Sequence, residues 1–234
     1  KYFIKSMAMA PLSLDGEIIG SLNQADFSPE RFSPGIDTSL LEQLAVKVSL
    51  CLSNVTAHEK LRYMAFHDPL TGLLNRRVME TVLQREFNRA RRYKSPLSVV
   101  FIDLNDFKAV NDTYGHDCGD DMLQFLGSNL VKMSRDSDVV ARFAGDEFVL
   151  ILPETTAENA EHLMGRVCTY LKDTPLKVGP KKITCTISYG VACTRDPLLR
   201  DPAALLKAAD ERLYEAKARL KAIPKKRRKN ERPP

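Results

Sequence analysis

Two short segments gather acids beside turn-forming residues. One is FIDLNDFKAVND (101–112) and the other is RFAGDEFVLI (142–151). In the second, Ala144-Gly145-Asp146-Glu147 reads as a tight turn between two strand-like runs. Gly145 can take positive φ there without steric cost and lets a ligand approach the backbone. Adjacent acids at a hairpin tip repel unless a cation gathers between them. In the first segment Asp103 stands near the end of an apolar run. Carboxylates from two neighbouring strand ends suit Mg²⁺, a hard ion that shares oxygen ligands with phosphates. The chemistry in view is therefore that of a nucleotide–metal site.

The elements that must position these groups follow from pattern. LSVVFIDL (97–104) is continuously apolar and predicts a buried strand. Residues 138–143 and 148–152 predict a hairpin around the glycine turn. Asn111 to Asp120 reads as a turn, followed by a helix over 120–133. Further helices are predicted over 157–172 and 202–222, and a strand over 183–193. Upstream, Pro69 ends one helix and Asn75 or Thr71 can start the next. That next helix presents Val78, Val82, Leu83, Phe87 and Ala90 on one face. Its basic end, Arg89, Arg91 and Arg92, reads as a solvated helix C-terminus favoured by the macrodipole. Helices alternate with strands but a hairpin interrupts them. The fold class expected is α+β, a mixed sheet flanked by helices.

The N-terminal part has another character. Residues 7–12 and 17–22 predict strands joined at Asp15-Gly16. After Pro29, Pro34 and Gly35, Asp37 or Thr38 can cap a long helix, with Glu42 placed for a reciprocal contact. Leu41, Leu44, Val48, Cys51 and Val55 recur at steps of three and four. This is a coiled-coil-type stripe, and the plainer alternative is a helix lying on its own domain.

These motifs carry a resemblance. HDPLTGLLNRR, FIDLNDFKAVNDTYGHDCGD, RFAGDEFVLILP, TISYGVA and ADERLYEAKA stand in the order and spacing of the GGDEF domain of bacterial diguanylate cyclases. The resemblance runs from about His67 to Lys221 and implies a palm-like, nucleotidyl cyclase-like sheet. The family joins two GTP molecules into cyclic di-GMP and releases two pyrophosphates. Carried over, Asp103 and Asp146 are metal ligands together with the Leu104 carbonyl, and Asp146 is also the proton acceptor. Glu147 is a supporting acid, and Lys108 steadies charge on the phosphates. Phe107 and the backbone near it line the phosphate turn, and Gly145 is a further substrate-binding residue. Asn111 and Asp120 read the guanine edge, whose N1–H and N2–H₂ donors suit a carboxylate. Lys217 binds phosphate, and Lys221 stands where the family has an arginine, keeping charge without the bidentate fork. Arg135 and Asp138 match an RxxD inhibitory site for the product, with Arg166 as a second arginine. The resemblance further implies two Mg²⁺ per active site, with Mn²⁺ as a substitute, and a homodimer that brings two GTP-loaded halves together.

Three departures stand out. Ala144 replaces the first signature glycine, where a methyl could crowd the nucleotide or forbid positive φ. Asn105 replaces a common aspartate, and Leu220-Lys221-Ala222 replaces Gly-Arg-Asn. They keep open a rival class, a degenerate domain that binds GTP or cyclic di-GMP and signals without turnover. APLSLDGEIIGSLN, the proline-rich loop and DTSLLEQLAVKVSLCLSN more loosely resemble the end of a GAF sensory domain. The organisation expected is a GAF-like fragment (1–36), a signalling helix (37–66), a GGDEF domain (67–222) and a basic tail (223–234).

Composition sets the remaining bounds. With 234 residues, 44% hydrophobic and 28% charged, the chain is of ordinary globular type. No apolar run is long enough to span a membrane as a helix. The start at Lys1-Tyr2-Phe3, with no signal peptide, suggests a segment of something longer. Five scattered cysteines without CxxC spacing read as buried thiols of a reducing cytoplasm. The four histidines lack metal-ligand spacing, and His116 is expected only to hold its turn. Much of the net charge of +5 lies in IPKKRRKNERPP, so no nucleic-acid partner is expected from charge.

Overall fold

Asp15 and Gly16, at φ 52° and 88°, reverse the chain between β1 (Ser6–Leu14) and β2 (Glu17–Asp26) in a computed structural model. The structure describes residues 3–179 and 181–222, and the side chains of residues 181 and 221 are outside it. The hairpin alternates along β1, and Ala10 packs with Leu41 and Ala45 of α1 (Ser39–Phe66). Ser13 donates its N–H to Ser49 Oγ at 3.0 Å, fastening the same helix face. The stripe expected on this helix therefore divides. Leu41 is buried in its own hairpin, whereas Leu44 and Val55 are 44% and 56% exposed. The chain separates into two units, residues 1–65 and 66–234.

The second unit is built on a five-stranded sheet of order β3-β5-β6-β4-β9. Its elements begin with β3 (Leu74–Asn75) and α2 (Arg76–Tyr93). Asn75 caps α2, its side chain accepting from the Val78 N–H at 3.1 Å. Then come β4 (Leu97–Leu104), α3 (Phe107–Tyr114), α4 (His116–Met133), β5 (Val139–Ala144) and β6 (Glu147–Pro153). The last elements among the described residues are α5 (Ala157–Asp173), β7 (Leu176–Val178), β8 (Lys181–Ile183), β9 (Ile187–Cys193) and α6 (Pro202–Ala222). The β3–β5 pair is parallel and the other pairs of this sheet are antiparallel, giving the mixed sheet expected.

Period-two alternation along β4 sorts the core into two layers. Val100, Ile102 and Leu104 face α4 and α5, packing with Leu126, Phe148 and Met164. Leu97, Val99 and Phe101 face α2 and α6, packing with Met79, Leu83 and Leu205. Burying side chains of this size contributes about 1.5–3 kcal/mol each. Gly190 of β9 sets the height of α6, because a Cβ there would overlap the backbone of Ala209 and Leu213.

Two sequence expectations are corrected. The stretch from Asn111 to Asp120 is not a turn: α3 runs through Asn111, and α4 starts at His116 rather than Asp120. The break is one residue, Gly115, at φ 90° and ψ 163°, which only glycine tolerates readily. The strand expected over 183–193 is interrupted. Ile183 closes a short β7–β8 hairpin that was not foreseen, and the sheet strand begins at Ile187.

Candidate active site

Strand register brings the acids together. Asp103 faces Glu147 directly across β4 and β6 and faces Ser188 across β4 and β9. The Leu104 N–H donates to the Asp146 carbonyl at 3.3 Å, tying the hairpin tip to the end of β4. Asp103 lies in phase with Phe101, so its side chain projects to the α2/α6 layer. There Lys217 of α6 reaches it, Nζ standing 2.5 Å from Oδ2.

The electrostatics of the cluster follow. Burial pushes the Asp103 carboxyl above its ordinary range; the Lys217 hydrogen bond pulls it back and the Asp146 charge pushes it up again. Glu147 is also raised, first by burial and then by the charges of Asp103, Asp146 and Asp210, with Lys217 opposing. Asp210 was missed in the sequence. The signal was present, since Asp210 and Lys217 are two helical turns apart in ADERLYEAKA and so share a face.

The turn carrying the signature is braced from outside. Gly145 sits at φ 48°, as its place in the turn required. Ala144 ends β5 and is absent from the residues at positive φ, so the methyl imposes no strain of that kind. Arg142 donates from Nε to the Gly145 carbonyl at 2.9 Å and from Nη1 to Asp68 at 2.9 and 3.1 Å. Asp68 also accepts from the N–H and hydroxyl of Thr71, at 2.8 and 2.7 Å. Burial alone would raise the Asp68 carboxyl, but the Thr71 and Arg142 hydrogen bonds outweigh it and hold it low. The Arg76 guanidinium stacks 4.3 Å from the Phe143 ring centroid, steadying β5 beside the turn. No motif or periodicity signals this brace.

The segment after β4 is fixed by short contacts. The Asn105 N–H donates to the Thr186 carbonyl at 2.9 Å, and Asn105 Oδ1 accepts from Ser188 at 2.6 Å. Asp106, at φ 56°, leads into α3 without a side-chain cap, leaving the first amides of that helix uncapped by it. The Phe107 ring packs against the core, so the backbone rather than the ring is what this position can offer a ligand. Lys108 is exposed on the first turn of α3. Asn111 comes from α3 and Asp120 from α4, where Asp120 follows Gly119, the residue that packs against the Asn111 amide. A Cβ on Gly119 would overlap Asn111 Oδ1, a buried atom with no hydrogen-bond partner. Lys221 lies in α6, but its side chain is outside the described residues, as is the basic tail.

The RxxD segment forms a turn of its own. Asp138 Oδ2 accepts from the Arg135 N–H at 2.8 Å, and the Asp138 N–H donates to the Arg135 carbonyl at 2.9 Å. The Arg135 side chain is exposed. Arg166 lines an open depression on α5 that Met133 also borders, with Glu161 and Asp173 adding acidic groups.

Among the described residues no three acidic, histidine or cysteine side chains converge on a ready-made ion position. Mg²⁺ does not need one, since it is commonly held by one or two carboxylates with waters and substrate phosphates. Asp103 and Asp146 are hard-oxygen groups of that kind and fit the ion.

A family model described as "Diguanylate cyclase, GGDEF domain" matches residues 65–222. The chain belongs to the GGDEF family. "Probable diguanylate cyclase DgcC" of Escherichia coli strain K12 is 41% identical over 158 residues, covering 68% of the chain and 42% of DgcC. "Response regulator PleD" of Caulobacter vibrioides is 40% identical over 157 residues, covering 66% of the chain and 34% of PleD. The chain thus spans less than half the length of these GGDEF relatives. Among solved structures, the GGDEF domain of DgcB from Caulobacter crescentus in complex with c-di-GMP superposes with a TM-score of 0.62. It is 25% identical and the match covers 66% of the chain and 88% of that domain. Among the described residues no helix is long and apolar enough to cross a membrane.

Proposed function

We propose that residues 67–222 are an active diguanylate cyclase domain, condensing two GTP into cyclic di-GMP with release of two pyrophosphates. The observation that carries the reading is the pairing of Asp103 with Glu147 across two strands, with Asp146 tied to Leu104 beside them. Asp103 and Asp146 would hold Mg²⁺, or Mn²⁺ in its place, with the Leu104 carbonyl adjoining. The bound ions would polarise the α-phosphate and offset charge on the leaving pyrophosphate. Asp146 accepts the proton of the attacking 3′-hydroxyl, and Glu147 supports it. The first amides of α3, with Lys108, Lys217 and Lys221, bind the triphosphate. Asn111 and Asp120 read guanine.

Each protomer supplies half of the reacting pair, so the working form is a homodimer. Residues 37–66 serve as its signalling helix, behind a GAF-like fragment at 1–36, and the setting is cytoplasmic. Product held by Arg135, Asp138 and Arg166 would keep the halves apart, a feedback by population shift.

A second reading, a binding module without turnover, rests on the Lys221 and Ala144 departures. The conformation of Ala144 weakens it, because the methyl demands no strained backbone. Incubation with GTP and Mg²⁺, followed by chromatography, separates the two. Cyclic di-GMP is the expected product. Binding of GTP or cyclic di-GMP without product assigns the module, and binding of neither overturns both readings.

A further inference from the structure

Asp103 is 5% exposed, in a strand whose neighbouring positions are apolar and buried. Glu147 stands opposite it, and the charges of Asp146 and Asp210 are felt in the same cluster. Burying an ionised carboxylate beside others is costly unless a cation answers it. Lys217 is that cation, 2.5 Å from Asp103 Oδ2. Its reach is set by the fold, because Gly190 lets α6 lie directly on β9. The Lys217 side chain is 33% exposed, so its head can leave Asp103 for solvent without unpacking the core. The residue type suits a contact that is given up. Ammonium is a hydrated point charge on a flexible stem, whereas a guanidinium would grip a carboxylate in a fixed fork.

We propose that Lys217 is the resident counter-ion of the nucleotide-free site, displaced from Asp103 when a divalent ion arrives with its nucleotide. This rests on Asp103 being a metal ligand. A metal ion entering alone must evict the ammonium into water. A metal ion entering with a triphosphate gives the evicted ammonium a new anionic partner. Metal and nucleotide therefore favour each other's binding through one side chain, and by linkage the coupling is reciprocal.

The test measures Mn²⁺ affinity by electron paramagnetic resonance, with and without a non-hydrolysable GTP analogue. The proteins are wild type, Lys217→Gln, Lys217→Arg and the double variant Asp103→Asn/Lys217→Gln, each checked for folding by circular dichroism. Without nucleotide, Lys217→Gln is expected to bind Mn²⁺ about tenfold more tightly than wild type, as removing one close charge from a partly solvated site would do. The analogue should then improve Mn²⁺ affinity less than it does in wild type. Lys217→Arg should bind free Mn²⁺ no better than wild type. Unchanged or weaker Mn²⁺ binding by Lys217→Gln overturns the proposal while leaving Asp103 as a ligand. Tightening that survives in the double variant arises elsewhere and also overturns it. Absence of Mn²⁺ binding to every protein, with or without analogue, defeats the metal reading itself. Should Lys217→Gln not fold, Lys217→Met, which keeps the stem, replaces it with the same outcomes.

Discussion

Arg142 and Asp68, 74 residues apart in the chain, are joined by two hydrogen bonds from one guanidinium nitrogen, while the same arginine holds the Gly145 carbonyl. The signature turn is therefore oriented by the loop that precedes α2. Arg142→Lys keeps charge but cannot make both contacts. We expect the variant to fold, lose about 2 kcal/mol of stability and turn over GTP about tenfold more slowly. Chemical denaturation and a product assay check the two effects. Undiminished turnover would remove Arg142 from the positioning of the turn.

Asp68 gives the pH signature of this brace. Its folded carboxyl is held below the usual value, so its contribution is full above the unfolded pKa, about 3.9. The contribution is lost as pH falls through the lower folded value. Asp68→Asn should therefore melt below wild type at neutral pH, with the gap closing in acid below pH ~4. Melting curves across that range test it, and a gap that widens in acid would contradict the assignment.

Asp146→Asn should leave the fold intact and abolish turnover, a loss of about a thousandfold or more. The amide matches the carboxylate in size but neither accepts the proton nor carries charge to the ion. Measurable wild-type rates would exclude Asp146 from the mechanism.

Gly119→Ala adds a methyl against the Asn111 amide. The amide must move, and with it the guanine contact proposed for Asn111. Weakening of GTP by about tenfold, with less discrimination against ATP, is expected. Competition binding with both nucleotides measures it, and unchanged selectivity would sever Asn111 from base reading.

Arg135→Ala leaves the Asp138 turn intact, because the backbone N–H of residue 135 makes that contact. Initial velocity should be nearly unchanged and inhibition by added cyclic di-GMP relieved by about tenfold. Equal inhibition of the variant and wild type would refute the regulatory site.

Much of this architecture was legible from local pattern. The apolar run at 97–104 reads as a buried strand with Asp103 near its end, and the structure has that strand. The cap at Asn75 and the span of α6 were equally local. What escaped the sequence was long-range or rested on one residue. Gly115 alone turns an apparent loop into two helices, since Asn, Asp, Gly and His suit both. The Arg142–Asp68 bond links two motifs by contacts that periodicity does not encode. Lys217 could be read as a phosphate ligand, but its present partner depends on how closely α6 lies on the sheet.

Since β4 sends alternate residues to opposite layers, Asp103 belongs to the α2/α6 side, while the hollow beside Arg166 is carved on α4 and α5. A guest in that hollow lies on the other face of the sheet from Asp103 of its own subunit. Under the proposed feedback, a brake applied there would reach Asp103 through the strands or through the way one copy meets another.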